Sequence, residues 1–238
     1  MCVGFVHQCF YEVFDHLGPH NAWWVWNPDS DPNQPSIAAV PINSIYLFAT
    51  LGPFVLTWLV KTLACNAGAS SSRIVGGTVL AGLLTPLVLV VASAPSAVAG
   101  MLAGDAKTTA QGIVMMTVVA VFAVVALTVL PAEWRRNRTS GTADDRSSRN
   151  FVMLGGSTFC AVFLGLWIAA LPDLLTNDAT RHPGSVLYAG VCFILAALIV
   201  AAVATGTPRA FDREPQSAST SSADDAQEKP QPHVEPAG

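Results

Sequence analysis

The chain reads as an all-α, polytopic integral membrane helix bundle. About five transmembrane helices are preceded by an N-terminal helix that is interfacial or partly transmembrane. Three observations predict this. Of the 238 residues, 52% are hydrophobic and only 12% charged, with a mean hydropathy of +0.47, whereas a soluble domain carries about a quarter charged residues. Five apolar runs, at 42–64, 74–93, 112–131, 151–172 and 185–206, each reach the roughly 20 residues that cross a hydrocarbon core. Lysine and arginine gather on alternate connections, as the retention of positive charge in the cytoplasm requires.

Residues 1–41 form a first unit. Met1 to Leu17 has helical periodicity, with Val3, Val6, Cys9 or Phe10, Val13 and Leu17 as an apolar stripe. Glu12 and His16 stand at i and i+4, and Tyr11 and Asp15 lie on the adjacent polar side. Gly18-Pro19 is expected to end this helix, so that His20 does not continue the face. Such a segment lies in the outer interface, or else it is the outer half of a spanning helix that begins upstream, which would make the spans even in number. Trp23, Trp24 and Trp26 suit a membrane–water boundary, and Asn27 to Pro32 is turn chemistry with solvated acids.

Residues 42–206 form the transmembrane unit. In its first span Asn43, Tyr46, Thr50, Thr57 and Lys61 share one face of an α-helix, a polar stripe that should look into the bundle. Pro53 lacks the N–H that the carbonyl of residue 49 would use, which leaves that oxygen open to another donor. The second span offers Gly77 and Ala81 as a packing strip. The fourth offers Ser157, Ala161, Gly165 and Ala169, which suit a bundle seam or the face of a homo-oligomer or membrane-protein partner.

The connection 133–150 carries Arg135, Arg136, Arg138, Arg146 and Arg149 and is placed in the cytoplasm. Alternation then puts the N-terminal segment outside the cell membrane and the tail inside. Residues 207–238 are rich in Ser, Asp, Glu, Gln and Pro and are expected to be a disordered cytoplasmic tail.

The net charge of -4 reflects acids in that tail, and no basic footprint of a nucleic-acid binder is present. The five cysteines lack metal-ligand spacing, so neither metal nor other cofactor is expected; Cys2 and Cys9 could pair outside the cell.

Three function classes follow. The leading one is a structural or accessory membrane component, since no catalytic motif is present. The second is a membrane-embedded enzyme acting on a lipid or isoprenoid. Glu12 and His16 would be its acid–base pair, and Trp23, Trp24, Trp26, Asn43, Tyr46 and Thr50 would hold the substrate. The order of acid, aromatic run and Pro-capped polar helix is loosely similar to that of polytopic carotenoid-modifying enzymes, and this likeness places the enzyme reading second. The third is a transporter or channel subunit, disfavoured by the scarcity of ionisable groups in the second to fifth spans. The lipid bilayer is the partner common to all three.

Overall fold

The computed structural model describes residues 1–65, 70–140, 145–176 and 184–205. Within them lie six helices: α1 (Cys2–His20), α2 (Ile42–Leu63), α3 (Ser71–Leu102), α4 (Lys107–Ser140), α5 (Asp145–Thr176) and α6 (Val186–Thr205). Helices α2 to α6 are long and apolar enough to cross a membrane. The expected disordered tail lies outside the described residues.

Helices α3, α4 and α5 outrun their apolar runs. At 32, 34 and 32 residues they are about 50 Å long at 1.5 Å per residue. They pass through Pro95, Pro131 and Pro172 without ending, as helices can when their neighbours supply the missing bonds.

α1 does not lie across the end of the bundle. It packs against α2, α4, α5 and α6 and runs antiparallel to α6. Near its start, Cys2, Phe5 and Cys9 cluster with Ala126 of α4 and with Leu195, Ala196 and Ile199 of α6. Near its end, Val13 and Leu17 cluster with Val186, Ala189 and Cys192. A helix of 19 residues, about 28 Å long, thus runs through the bundle alongside the helices of span length. This replaces the interfacial placement, and the reason is the sidedness of the helix. Its polar side is turned inward: Glu12, Asp15 and His16 are fully buried, while Val3 and Phe14 are exposed. An interfacial helix would need the opposite.

Gly18 and Pro19 also behave differently from expectation. The helix continues through both to His20 and closes with Ala22 in the left-handed region at φ 56°. Trp23 N–H donates to the Gly18 carbonyl and Ala22 N–H to that of Pro19, the paired bonds of a Schellman ending. That ending satisfies the last carbonyls, so a proline next to the terminus is tolerated. His20 therefore stays on the helix, two turns beyond Glu12.

The connection to α2 is ordered by its own turn chemistry. Asn27 accepts from the Asp29 N–H, and the Asn33 and Gln34 side chains donate back to the carbonyls of Asn27 and Pro28. A two-stranded hairpin, β1 (Ser36–Ile37) and β2 (Val40–Pro41), follows. Its two-residue turn places Ala38 and Ala39 at φ 47° and 71°. Val40 enters a core with Ile42, Tyr46, Met115 and Phe122, which seats the hairpin on α2 and α4.

α2 is not uniform. Residues Ile45–Leu51 form a π-helical stretch, after which the α-helix resumes at Gly52. Bonds of the i to i+5 type wind extra chain into the turn and rotate everything beyond it. The predicted polar stripe breaks here. Tyr46 and Thr50 are buried and Asn43 half-buried, but Thr57 and Lys61 are exposed. The inward face continues instead through Val55 and Leu59, with Val55 lying five positions after Thr50.

The two small-residue strips part company. A side chain on Gly77 would strike the Leu63 carbonyl, and Ala81 is fully buried, so that strip is the α2–α3 seam. Ser157, Ala161, Gly165 and Ala169 are all exposed, and a side chain on Gly165 would meet open space. The second strip is exposed and forms no seam among the described residues, because α5 turns Phe163 and Ala170 toward the core instead.

A buried polar helix as the candidate functional site

The site is built on α1, whose inward side carries two rows of polar groups. One row faces α2. Gly4 comes so close that an added Cβ would lie 2.5 Å from the Thr50 carbonyl oxygen and against the Phe122 ring. Beside it His7 donates through Nδ1 to the Ala49 carbonyl at 2.9 Å, and Thr50 donates to Gln8 Oε1 at 3.3 Å and to the Ile45 carbonyl at 2.8 Å. About two turns further along α1, Ser44 donates to Asp15 Oδ2 at 2.8 Å in a fully buried bond. The carbonyl of Ala49 is the one predicted to be free because of Pro53, and His7 occupies it.

The other row faces α6. The His16 ring packs on Tyr188 with centroids 4.6 Å apart, and its Nδ1 accepts the Ser185 backbone N–H at 3.1 Å. That bond needs a lone pair on Nδ1, so the ring is the neutral tautomer with its proton on Nε2. Nε2 points to Glu12 and lies 3.5 Å from Oε2, beyond the range of a good hydrogen bond. Tyr188 and Cys192 stand one turn apart on α6, in the same cluster as Val13 and Leu17 of α1. Gly184, at φ 99°, allows this approach, because a side chain there would run into the His16 carbonyl.

Glu12 is the exception in this polar core. Both carboxyl oxygens and His16 Nε2 have no hydrogen-bond partner among the described residues, although both side chains are fully buried. An isolated carboxylate in such a place costs several kcal/mol. The i, i+4 pairing of Glu12 and His16 is as the sequence predicts, but their surroundings are not. Asn43, Tyr46, Thr50 and the tryptophans make no hydrogen bond to either residue. Tyr46 instead donates to the Ala92 carbonyl of α3 at 2.8 Å. Trp24 lies against Gly18 and packs on Phe14 at 4.6 Å, while Trp23 is half-exposed; Trp26 is half-buried.

The partners that sequence reasoning missed are Asp15 with Ser44, and Ser185 and Tyr188. A tyrosine in an apolar helix looks like ordinary packing. Among the described residues no three His, Cys, Asp or Glu side chains converge to hold a metal. Glu12, His16 and His20 occupy successive turns of one straight helix, so they span about 12 Å. The Cys2–Cys9 disulfide is overturned for the same reason. Both thiols are free on one helix, about 10 Å apart along its axis, where a disulfide cannot reach.

Fold and site together define a class: an all-helical bundle with five helices of membrane-span length, enclosing a sixth that carries buried ionisable groups. Compared with protein-family models, curated proteins and solved structures, the chain matches none.

Proposed function

We propose that the chain is an integral protein of the cell membrane in which Glu12 and His16 form a proton-binding centre, the coupling element of a transport cycle. One observation carries this reading: a fully buried carboxyl with no hydrogen-bond donor among the described residues, 3.5 Å from an imidazole whose other nitrogen is tied to a second helix. Ionisable groups at membrane depth belong to ion and proton paths more often than to scaffolding. The sequence-level objection to transport was the lack of such groups in the spans, and α1 supplies them. A sealed centre also suits a proton, which needs no cavity.

The coupling has a physical route. With a proton on Glu12 the centre is neutral. Loss of that proton leaves a carboxylate that draws in the Nε2–H of His16, and a hydrogen bond forms when the gap shortens by about 0.5 Å. That movement pulls on the Ser185 bond at the start of α6. The charge rule, applied to six helices at membrane depth, places the arginine-rich connection, Met1 and the tail on the cytoplasmic side and the hairpin outside. On this reading the spans are even in number and the N-terminus is cytoplasmic, the alternative to an external N-terminus.

The test is infrared difference spectroscopy of the protein in nanodiscs across a pH jump, with proton uptake into dye-loaded proteoliposomes in parallel. A carbonyl band of a protonated carboxylic acid should titrate in the native protein and be missing in Glu12→Gln, which should also abolish uptake. A native spectrum without such a band would overturn the reading.

A structural or accessory role is the second reading, favoured by the bonds of His7, Gln8 and Asp15 that bind α1 to α2. On that reading Glu12→Gln leaves uptake unchanged.

A further inference from the structure

Away from the polar core, α1, α5 and α6 enclose a concave apolar groove of about 270 Å³. Val6 and Phe10 of α1 form its floor, Gly155 and Phe159 one wall, and Val200 and Val203 the other. The floor is stiffened by aromatic contacts. Phe10 meets Phe159 edge-on at 5.2 Å, and Phe159 stacks on Phe163 at 4.2 Å. A side chain on Gly155 would meet nothing within 4 Å, whereas one on Gly156 would press on Val200. The first glycine therefore keeps the groove open and the second holds its walls together.

We infer that this groove is a fixed seat for one acyl chain of a bilayer lipid. Two of its three walls are helices of span length, and the exposed surface beside it, at Phe151, Val152 and Leu154, is apolar. The groove is thus continuous with the surface that hydrocarbon would cover. Its volume falls just below the 300 to 1,000 Å³ typical of small-molecule pockets, and its lining is apolar throughout, which suits a stretch of acyl chain and not a charged headgroup. A second copy of the protein fits less well, because a helix with its side chains is about 10 Å wide. The outward strip at Ser157 and Ala161, on a different face of α5, suits a helix better.

The difference between a seat and ordinary lipid contact is saturability and place. Native protein in nanodiscs is photolabelled with a phospholipid bearing a diazirine near the end of one acyl chain, and the labelled peptides are mapped. Labelling should concentrate on Val6, Phe10 and Phe159, should be competed by unlabelled phospholipid, and should be lost in Gly155→Phe, which fills the groove from an open position. Leu83→Phe, at an exposed site on α3, should leave it intact. Val6→Trp blocks the same space from α1 and should reproduce the loss if Gly155→Phe proves unstable. Labelling spread evenly over α3 and α5 and insensitive to either blocking variant would overturn the seat. So would groove residues protected by a crosslinked second copy.

Discussion

His7 donates to the carbonyl oxygen of Ala49, an acceptor that exists because the residue four places on is Pro53. An exposed side chain of one helix thereby completes the backbone of another, beside a π-helical stretch. The two residues should be energetically coupled. His7→Phe should cost about 1 kcal/mol in the native background. It should cost clearly less after Pro53→Ala, which restores a backbone N–H to compete for the same oxygen. Unfolding midpoints of the four proteins in a detergent titration measure the coupling; additive effects would refute it.

The close crossing at Gly4 predicts a sharp positional contrast. Gly4→Ala should destabilise by about 1–3 kcal/mol, since the new methyl meets a carbonyl and an aromatic ring that cannot both move. Gly165→Ala, which meets open space, should be silent in the same melt.

For the pair at the centre, the double substitution should cost less than the single one. His16→Leu alone removes the acceptor of Ser185 N–H and the neighbour of Glu12, and should cost about 2–4 kcal/mol. Glu12→Leu with His16→Leu removes both buried polar groups and should recover much of that loss. Thermal unfolding of the two variants beside the native protein decides it; a double variant weaker than the single would show that the pair holds the bundle together.

The hairpin turn carries alanine where the left-handed backbone favours asparagine or glycine. Replacing Ala38-Ala39 by Asn-Gly should stabilise the protein by about 1 kcal/mol, with no change in the infrared signature of Glu12. Loss of stability would mean that the alanine methyls pack more than the turn costs.

Much of this architecture was legible in the residues. The five apolar runs became α2 to α6, the Glu12–His16 spacing became a real juxtaposition, and Pro53 marked the carbonyl of Ala49. What was not legible shares a physical cause. Periodicity reports which residues lie together on a helix but not whether that side meets lipid or protein, so the polar side of α1 was read outward. A π-helical stretch shifts register without any compositional mark, so Thr57 and Lys61 were assigned to the wrong face. A proline within a turn of the helix end was read as a stop, although the bonds to Gly18 and Pro19 supply that ending instead. The partners on α6 depend on a contact about 170 residues away in sequence, which no local pattern encodes.

The inward sidedness of α1 bears on how the protein is made. This helix leaves the ribosome before every segment that shelters its acids, and α6, which holds His16, comes last. Glu12 and Asp15 alone in lipid would each cost about 3 kcal/mol on insertion scales. α1 can therefore be seated with His16 on Ser185 only after α6 has been made, so its docking comes late in assembly.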